Sequence, residues 1–408
     1  MTSTHTPYTP RLVIWLSLAQ LISWGSVFYL FAVLMAPLER DLGLSRAQVS
    51  LAFSLALLTE GLMAYAVGRL IDRGHERAVM TVGSVLAGAG LLLLSQVDSL
   101  TGLYLAWVSL GVAMAGVLYS PAFALVTRRF PNDFRRAIIT LTFLGGLAST
   151  VFIPLIAGLI THFGWRAAVI MLALLHLLVC APLHALVLRG APKPRLNPTL
   201  GHAGQPASAH ALMRTAPFLL IGLFVVLMMS VTVAIPAHMV SLLRENGLSE
   251  AWVIAMSAAI GVAQVLGRVL LYGFESRWDL HTVNRWVPLL IPLGLLLLLS
   301  ASFMGRWQLV AVGAFVLLYG LGNGMLTIVK GTAIAQYVSR RHVASLNGAL
   351  GLPLALARAG APLLLGVMWS PQAGYSHGLW LMLGFSGVGV LALALAQRLS
   401  QRTHPDPV

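Results

Sequence analysis

The sequence predicts an all-α membrane protein of twelve transmembrane helices, built as two six-helix bundles related by a parallel repeat. Three observations carry that expectation. Apolar blocks of roughly 20 residues, the length a helix needs to cross a ~30 Å hydrocarbon layer, follow one another along nearly all of the 408 residues. The composition is 58% hydrophobic and only 9% charged, far from that of soluble domains. One long polar interruption, Arg189 to Thr215, splits the blocks into two sets, and its Pro, Gly and small polar residues offer too little apolar surface to fold alone. The expected organisation is an N-terminal bundle over 1–188, a flexible or loosely structured cytoplasmic linker over 189–215 and a C-terminal bundle over 216–408.

Taken in order, the first half places spans at 12–36, 47–69, 77–95, 101–127, 137–161 and 166–188. The second half places them at 216–243, 251–273, 286–304, 306–337, 343–369 and 376–397. Connections on one side are short (Glu39 to Arg46, Asp98 and Ser99, Phe163 to Trp165), which leaves no room there for a folded domain. The first block is followed by eleven others and lacks a small-residue cleavage site, so it reads as a span and not as a removable signal peptide. The single cysteine, Cys180, sits inside an apolar block, so an intrachain disulfide is excluded.

The net charge of +14 is explained by where the charges fall. If the amino terminus starts inside, 18 of the 26 basic residues lie in inner segments, five in outer segments and three within spans. That asymmetry is the positive-inside signature, with both termini cytoplasmic, and it removes the case for nucleic-acid binding. Two lysines against 24 arginines suggest a GC-rich prokaryotic source and hence a cell inner membrane.

An internal repeat underlies the two halves. Gly43-Leu44-Ser45-Arg46-Ala47-Gln48-Val49, entering the second span, is echoed by Gly247-Leu248-Ser249-Glu250-Ala251-Trp252-Val253, entering the eighth, at an offset of 204. At an offset of 208, Gly116, Pro154 and Gly158 fall on Gly324, Pro362 and Gly366. A near-constant offset across three pairs of spans means a 6+6 duplication with parallel topology. Small residues four apart, such as Gly83 with Ala87 and Ser84 with Gly88, suit close helix packing in lipid.

The loop after the second span reads Gly68-Arg69-Leu70-Ile71-Asp72-Arg73-Gly74-His75-Glu76-Arg77. It resembles the cytoplasmic signature of the major facilitator superfamily: Gly68, Leu70, Asp72, Arg73 and Arg77 match, while His75 and Glu76 stand where the pattern has glycine and a basic residue. Gly164-Trp165-Arg166 before the sixth span is also common in that superfamily. In the eighth span Gln264-Val265-Leu266-Gly267-Arg268 is similar to the branch of monocarboxylate and oxalate/formate carriers, in which the arginine partners the substrate anion. Where some of those carriers have an aspartate one turn earlier, implicated in proton coupling, this chain has Gln264. The ending of a drug/proton antiporter's fifth span, paired glycines after Gly-Pro, is not met by Pro154-Leu155-Ile156-Ala157-Gly158. The resemblance implies that Gly68, Asp72, Arg73 and Arg77 belong to an inner gate, with Asp72 facing the start of span 11 near Val343 to Ser345. It also implies that spans 2 and 11 meet, which would make Arg358 a partner for Glu60.

Charges inside spans are costly and are functional candidates by default. There are four, Glu60, Arg268, Lys330 and Arg358. Arg358 is ~16 Å or more from either surface at 1.5 Å per residue, whereas Arg268 and Lys330 are near enough to an inner end to snorkel. Ser257, Gly261, Gln264 and Arg268 form one helical stripe, and Tyr319, Asn323, Thr327 and Lys330 another. A polar stripe faces protein or water, so each reads either as a cavity wall or as a helix–helix seam. Trp24, Tyr29 and Tyr119 are candidate aromatic walls of the same cavity, and His238 a candidate lining residue. Glu60, the only acid in a span, is the candidate for proton coupling or for a structural ion pair.

The histidines, His176 and His238 among them, show no metal-ligand spacing. The chain also lacks a phosphate-binding glycine loop followed by Lys and Ser, a nucleophile elbow and a thiol pair. Neither an enzyme nor an ATP-driven pump is therefore expected, and no cofactor. The expected function is secondary transport of a small organic anion, a mono- or dicarboxylate, by alternating access around a midplane site. Arg358, Arg268 and Lys330 would hold the anion, because three intramembrane cations face one intramembrane acid. The competing expectation is proton-coupled efflux of a hydrophobic or cationic compound through Glu60. The expected partners are the small-molecule substrate, the lipid bilayer and protons, and the expected state is a monomer.

Overall fold

A computed structural model of the chain describes residues 9–130, 133–190, 206–274, 279–339 and 342–403. Among these, eleven helical segments are long and apolar enough to cross a membrane. The first four are α1 (Pro10–Leu42), α2 (Arg46–Asp72), α3 (Glu76–Ser95) and α4 (Leu100–Arg129). The fifth, Arg136–Val187, runs for 52 residues, twice what one crossing needs. Gly164 divides it with φ 79° and ψ 162°, a conformation that glycine alone adopts readily. Its two parts are α5 (136–163) and α6 (165–187). The remaining spans are α7 (Ala216–Glu245), α8 (Glu250–Gly273), α9 (His281–Ala301), α10 (Gly305–Tyr337), α11 (Leu346–Val367) and α12 (Ser376–Ser400). This is the all-α, twelve-span architecture that the sequence predicts.

The chain separates into two compact units, Met1–Arg195 and Leu196–Val408, each with six spans. Residues 191–205 of the polar interruption, with Lys193 and Arg195, lie outside the described residues, as do Arg277, Arg340 and Arg341. Pro206–Met213, expected as loose chain, forms a short helix.

In the first unit the turn between α1 and α2 is set by local chemistry. Gly43 takes the left-handed conformation (φ 63°) that ends α1. Ser45 then opens α2 with a capping box: its hydroxyl accepts from the Gln48 N–H at 3.3 Å, and Gln48 Oε1 accepts from the Ser45 N–H at 2.9 Å. The Gly164 turn is tied down as well. Trp165 Nε1 donates to Asp41 Oδ2 at 2.5 Å and Arg166 Nη2 to the Val97 carbonyl at 2.8 Å, which accounts physically for a Gly-Trp-Arg sequence at this place. Trp107, Phe31 and Phe53 are fully buried, with Phe31 stacked on Phe53 at 4.5 Å and Trp107 edge-on to both.

Corresponding spans pack alike in each unit. The second and fourth spans of the first unit meet where a Cβ on Gly111 would lie 2.3 Å from the Ala56 carbonyl oxygen. In the second unit α8 meets α10 where a Cβ on Gly324 would lie 2.1 Å from the Gln264 carbonyl oxygen and one on Gly267 2.6 Å from that of Leu321. Such approaches need glycine, and without a hydrophobic effect between helices in lipid they provide the packing energy. Gly247 (φ 76°) repeats after α7 the turn that Gly43 makes after α1, the structural counterpart of the sequence repeat.

Candidate functional site

Of the four charged candidates, two are brought together in the second unit. Lys330 on α10 and Arg358 on α11 interact as like charges, and both are half-buried. Lys330 Nζ also lies 3.7 Å from Met229 Sδ of α7, so the ammonium points into the bundle and is not snorkelling. Arg268 on α8 reaches the Gly324 carbonyl on α10 through Nε at 3.4 Å. Arg268 thus touches α10 at Gly324, while Lys330 and Arg358 interact from α10 and α11. Asn323, half-buried on α10, is next to Gly324.

The two polar stripes resolve differently along their length. Around Gln264 and Gly267, α8 is pressed against Gly320, Leu321 and Gly324 of α10, and Gln264 is 5% exposed. Tyr319 is fully buried and donates to the Val231 carbonyl at 3.5 Å. These residues make the helix–helix seam. Thr327 and Lys330, further along α10, are exposed and half-buried, and this end of the stripe leaves the seam. His238 is wholly buried inside the second unit. Its Nε2 lies 2.9 Å from the Pro362 carbonyl and its Nδ1 2.8 Å from the Tyr375 hydroxyl. A carbonyl only accepts, so Nε2 carries the proton, and in the neutral ring Nδ1 accepts from Tyr375. His238 therefore joins α7 to α11 one turn beyond Arg358, where Pro362 supplies no N–H to the helix.

In the first unit Trp24 and Tyr119 are brought together, their rings 4.8 Å apart, and Tyr119 stacks on Phe123 at 5.0 Å. Tyr29 is separated from Trp24 by Phe28, which touches both rings. Glu60 on α2 is 7% exposed. Gly68, Asp72, Arg73 and Arg77 occupy the α2–α3 connection, where Asp72 and Arg73 are exposed. Gly74 (φ 87°) makes the turn, with its N–H on Ile71 O and that of His75 on Leu70 O. Arg77 Nε donates to the Ala185 carbonyl at 2.7 Å.

Two features escaped the sequence reading. Glu76 is fully buried and binds Arg129 Nε at 2.6 Å and Arg128 Nη1 at 3.1 Å, while Arg128 also donates to Ile71 O and Arg129 to Leu188 O. A buried acid in the loop, at a position where the resembled pattern has a basic residue, was the available signal. The second feature is a polar file in the first unit. α1 and α6 each contain a π-helical segment, Trp24–Tyr29 and His176–Cys180, and these meet where Ser26 Oγ lies 2.7 Å from His176 Nε2. Ser26 donates to Ile22 O at 2.6 Å, which makes His176 Nε2 the donor to Ser26. Nearby Gln20 Nε2 donates to Val117 O at 2.7 Å, where α4 is interrupted by extended Leu118. Gln20 Oε1, Ser23 Oγ, Trp24 Nε1 and His176 Nδ1 are buried without a protein hydrogen-bond partner, an arrangement suited to ordered water. Ser17, Gln20, Ser23 and Ser26 recur at three-residue spacing on α1, a pattern that attention to charge alone passes over. Among the described residues no group of His, Cys, Asp and Glu could hold a metal ion.

Comparison with known proteins agrees with this architecture. The family profile described as Major Facilitator Superfamily matches residues 16–362. Monocarboxylate transporter 13 of Bos taurus is 30% identical over 303 residues, covering 69% of this chain and 66% of the relative. Multidrug resistance protein MdtL of Klebsiella pneumoniae is 30% identical over 146 residues, 36% of each chain. The crystal structure of a bacterial homologue of the human lysosomal transporter Spinster, inward-facing and unoccupied, superposes with a TM-score of 0.72 at 18% identity over the full length of both chains.

Proposed function

The chain belongs to the major facilitator superfamily, and we propose that within it this protein is a secondary active carrier of a small organic anion, a mono- or dicarboxylate, moved by alternating access. The observation that carries the proposal is the meeting of Lys330 and Arg358. Two cations held near one another among apolar helices repel and are poorly solvated, and a bound carboxylate relieves both costs at once. Arg358 is the chief anion partner, because a guanidinium grips a carboxylate through two parallel hydrogen bonds. Lys330 is the second partner and Arg268 the third, with Asn323 as a polar neighbour. Gln264 acts through the seam that carries Arg268. Glu60 is the proton-coupling acid, and Asp72 with Gly68, Arg73 and Arg77 serves the inner gate.

The name of the bovine relative, which aligns over two-thirds of this chain, supports the carboxylate class. The efflux reading draws on the multidrug relative, which aligns over about one third, and on Glu60 as a buried acid of α2. The distribution of basic residues supports an inner-membrane protein with both termini cytoplasmic.

The test is equilibrium binding of carboxylates of one and two charges to the purified protein and to Arg358→Lys and Arg358→Gln. Charged hydrogen bonds contribute about 1.5–3 kcal/mol each, so Arg358→Gln weakens binding roughly ten- to a hundredfold, and Arg358→Lys recovers charge without the two-point grip. Tighter binding of neutral or cationic compounds than of every carboxylate, or anion binding by Arg358→Gln equal to that of the parent, would remove this reading in favour of efflux.

A further inference from the structure

At the end of the second unit opposite to where the 189–215 connection joins α7, a cleft of about 410 Å³ opens between the end of α7, the end of α9 and the α11–α12 connection. Its volume falls in the range of small-molecule sites, ~300–1,000 Å³. Leu242, Leu298 and Leu379 give it an apolar floor, and among the described residues Glu245 is the one charged side chain lining it. In a chain with a net charge of +14, a cleft lined by a carboxylate and no cation is unusual.

Trp369 Nε1–H donates to Glu245 Oε1 at 2.7 Å, which orients the carboxylate. The Tyr375 proton goes to His238 Nδ1, as the tautomer requires. The Asn246 side-chain amide donates to Leu242 O at 3.0 Å, and the Asn246 backbone carbonyl accepts from Gln308. The Trp369 N–H and the Tyr375 hydroxyl proton are thus committed within the protein; of the other lining groups the Glu245 carboxylate accepts only, and the Ser302 and Ser376 hydroxyls can both donate and accept. Gly374, at φ 52°, lets the loop close over Glu245, since a Cβ there would lie 2.9 Å from Glu245 Oε2. The loop itself is held by the Ser370–Gly374 backbone pair, at 2.8 and 3.3 Å.

A singly anionic cleft with an apolar floor is complementary to a compact cation carried on an apolar body. We propose that this cleft binds a primary ammonium group carried on an apolar body, at a site distinct from Arg358, Lys330 and Arg268. The ammonium sits on Glu245, with Tyr375 and the serine hydroxyls as further acceptors, and the apolar body lies on the leucines. Two sources share this chemistry, a free amine and the ethanolamine headgroup of a phospholipid.

The experiment measures binding of phenethylammonium, with neutral 2-phenylethanol and anionic 3-phenylpropionate as controls, to the full chain purified in detergent, by calorimetry and by shift of the unfolding midpoint. Phenethylammonium is expected to bind saturably, at least tenfold tighter than 2-phenylethanol. Glu245→Gln should weaken it tenfold or more, and Trp369→Phe, which removes the N–H that orients the carboxylate, severalfold. Arg358→Gln should leave it unchanged, which keeps the outcome independent of the anion-carrier reading. In nanodiscs, weaker apparent binding with phosphatidylethanolamine than with phosphatidylglycerol identifies the lipid headgroup as occupant, and equal binding identifies a free amine. Equal binding of 2-phenylethanol, or full retention of phenethylammonium binding in a folded Glu245→Gln protein, would overturn the proposal.

Discussion

Substituting Gly324 by alanine tests whether the α8–α10 seam sets the position of the central cations. The added Cβ would lie 2.1 Å from the Gln264 carbonyl oxygen and 2.8 Å from the Gln264 Cα and carbonyl carbon. Ordinary van der Waals contact begins at 3.4 Å, so the helices must separate by about 1 Å, and the obstacle is backbone that cannot rotate aside. Overpacking of this kind costs about 1–3 kcal/mol, which lowers the unfolding midpoint by roughly 2–4 °C per kcal/mol for a unit of this size. Because Arg268 Nε is anchored on the Gly324 carbonyl, the same displacement moves a guanidinium away from its place. Anion affinity should therefore fall together with stability. Gly331→Ala, on the same helix but with open space around its Cβ, is the control and should change neither. The measurements are thermal unfolding of the purified proteins and carboxylate binding. A Gly324→Ala protein as stable and as tightly binding as Gly331→Ala would refute the seam.

In the α2–α3 connection, Glu76→Gln should be far more damaging than Asp72→Asn. The first leaves Arg129 buried without its counter-charge, a loss of roughly 3–5 kcal/mol, whereas Asp72 is exposed and its neutralisation should leave unfolding nearly unchanged. Unfolding curves of the two variants decide this. Tyr375→Phe should cost about 1–3 kcal/mol by leaving His238 Nδ1 without its donor, read as a lowered midpoint that His238→Phe, removing both partners' need, partly relieves in the double variant. Glu60→Gln should abolish accumulation of substrate against a gradient in proteoliposomes while sparing exchange; accumulation driven by an imposed pH gradient in that variant would take proton coupling away from Glu60.

The span count was legible because hydropathy is a property of the local chain: a 20-residue apolar block has one economical fate in lipid. Even the long helical segment from Arg136 to Val187 divides where glycine precedes Trp165 and Arg166. The seam at Gln264 was not legible in the same way. A polar stripe satisfies the bilayer equally well by facing water or by facing another helix, and only the partner's glycines, Gly320 and Gly324, distinguish the two. Likewise, nothing local told that Glu76 would be buried, because its burial depends on the end of α4 delivering Arg128 and Arg129 to the start of α3. His238 is the complementary case. Polarity nominated it for a cavity, but a neutral imidazole carries one donor and one acceptor, and the fold had placed Pro362 O and Tyr375 OH to take them.

The same distinction bears on which polar groups are free to serve transport. In the second unit His238 and Tyr319 hydrogen-bond across helix contacts, and Gln264 is buried at one. Lys330 and Arg358 interact as like charges, an arrangement that a closed, empty site would tolerate poorly. A carrier must cross between conformations both loaded and, for net transport, empty, so the repulsion cannot be large enough to forbid the empty crossing. Its size sets the balance between exchange and net transport. Lys330→Met, which removes the repulsion while leaving Arg358 to hold one carboxylate, should accelerate return of the empty carrier and raise net flux relative to exchange. Parallel measurement of zero-trans efflux and equilibrium exchange in proteoliposomes checks this. An unchanged ratio, with carboxylate binding retained, would mean that the meeting of the two cations has no part in the return step.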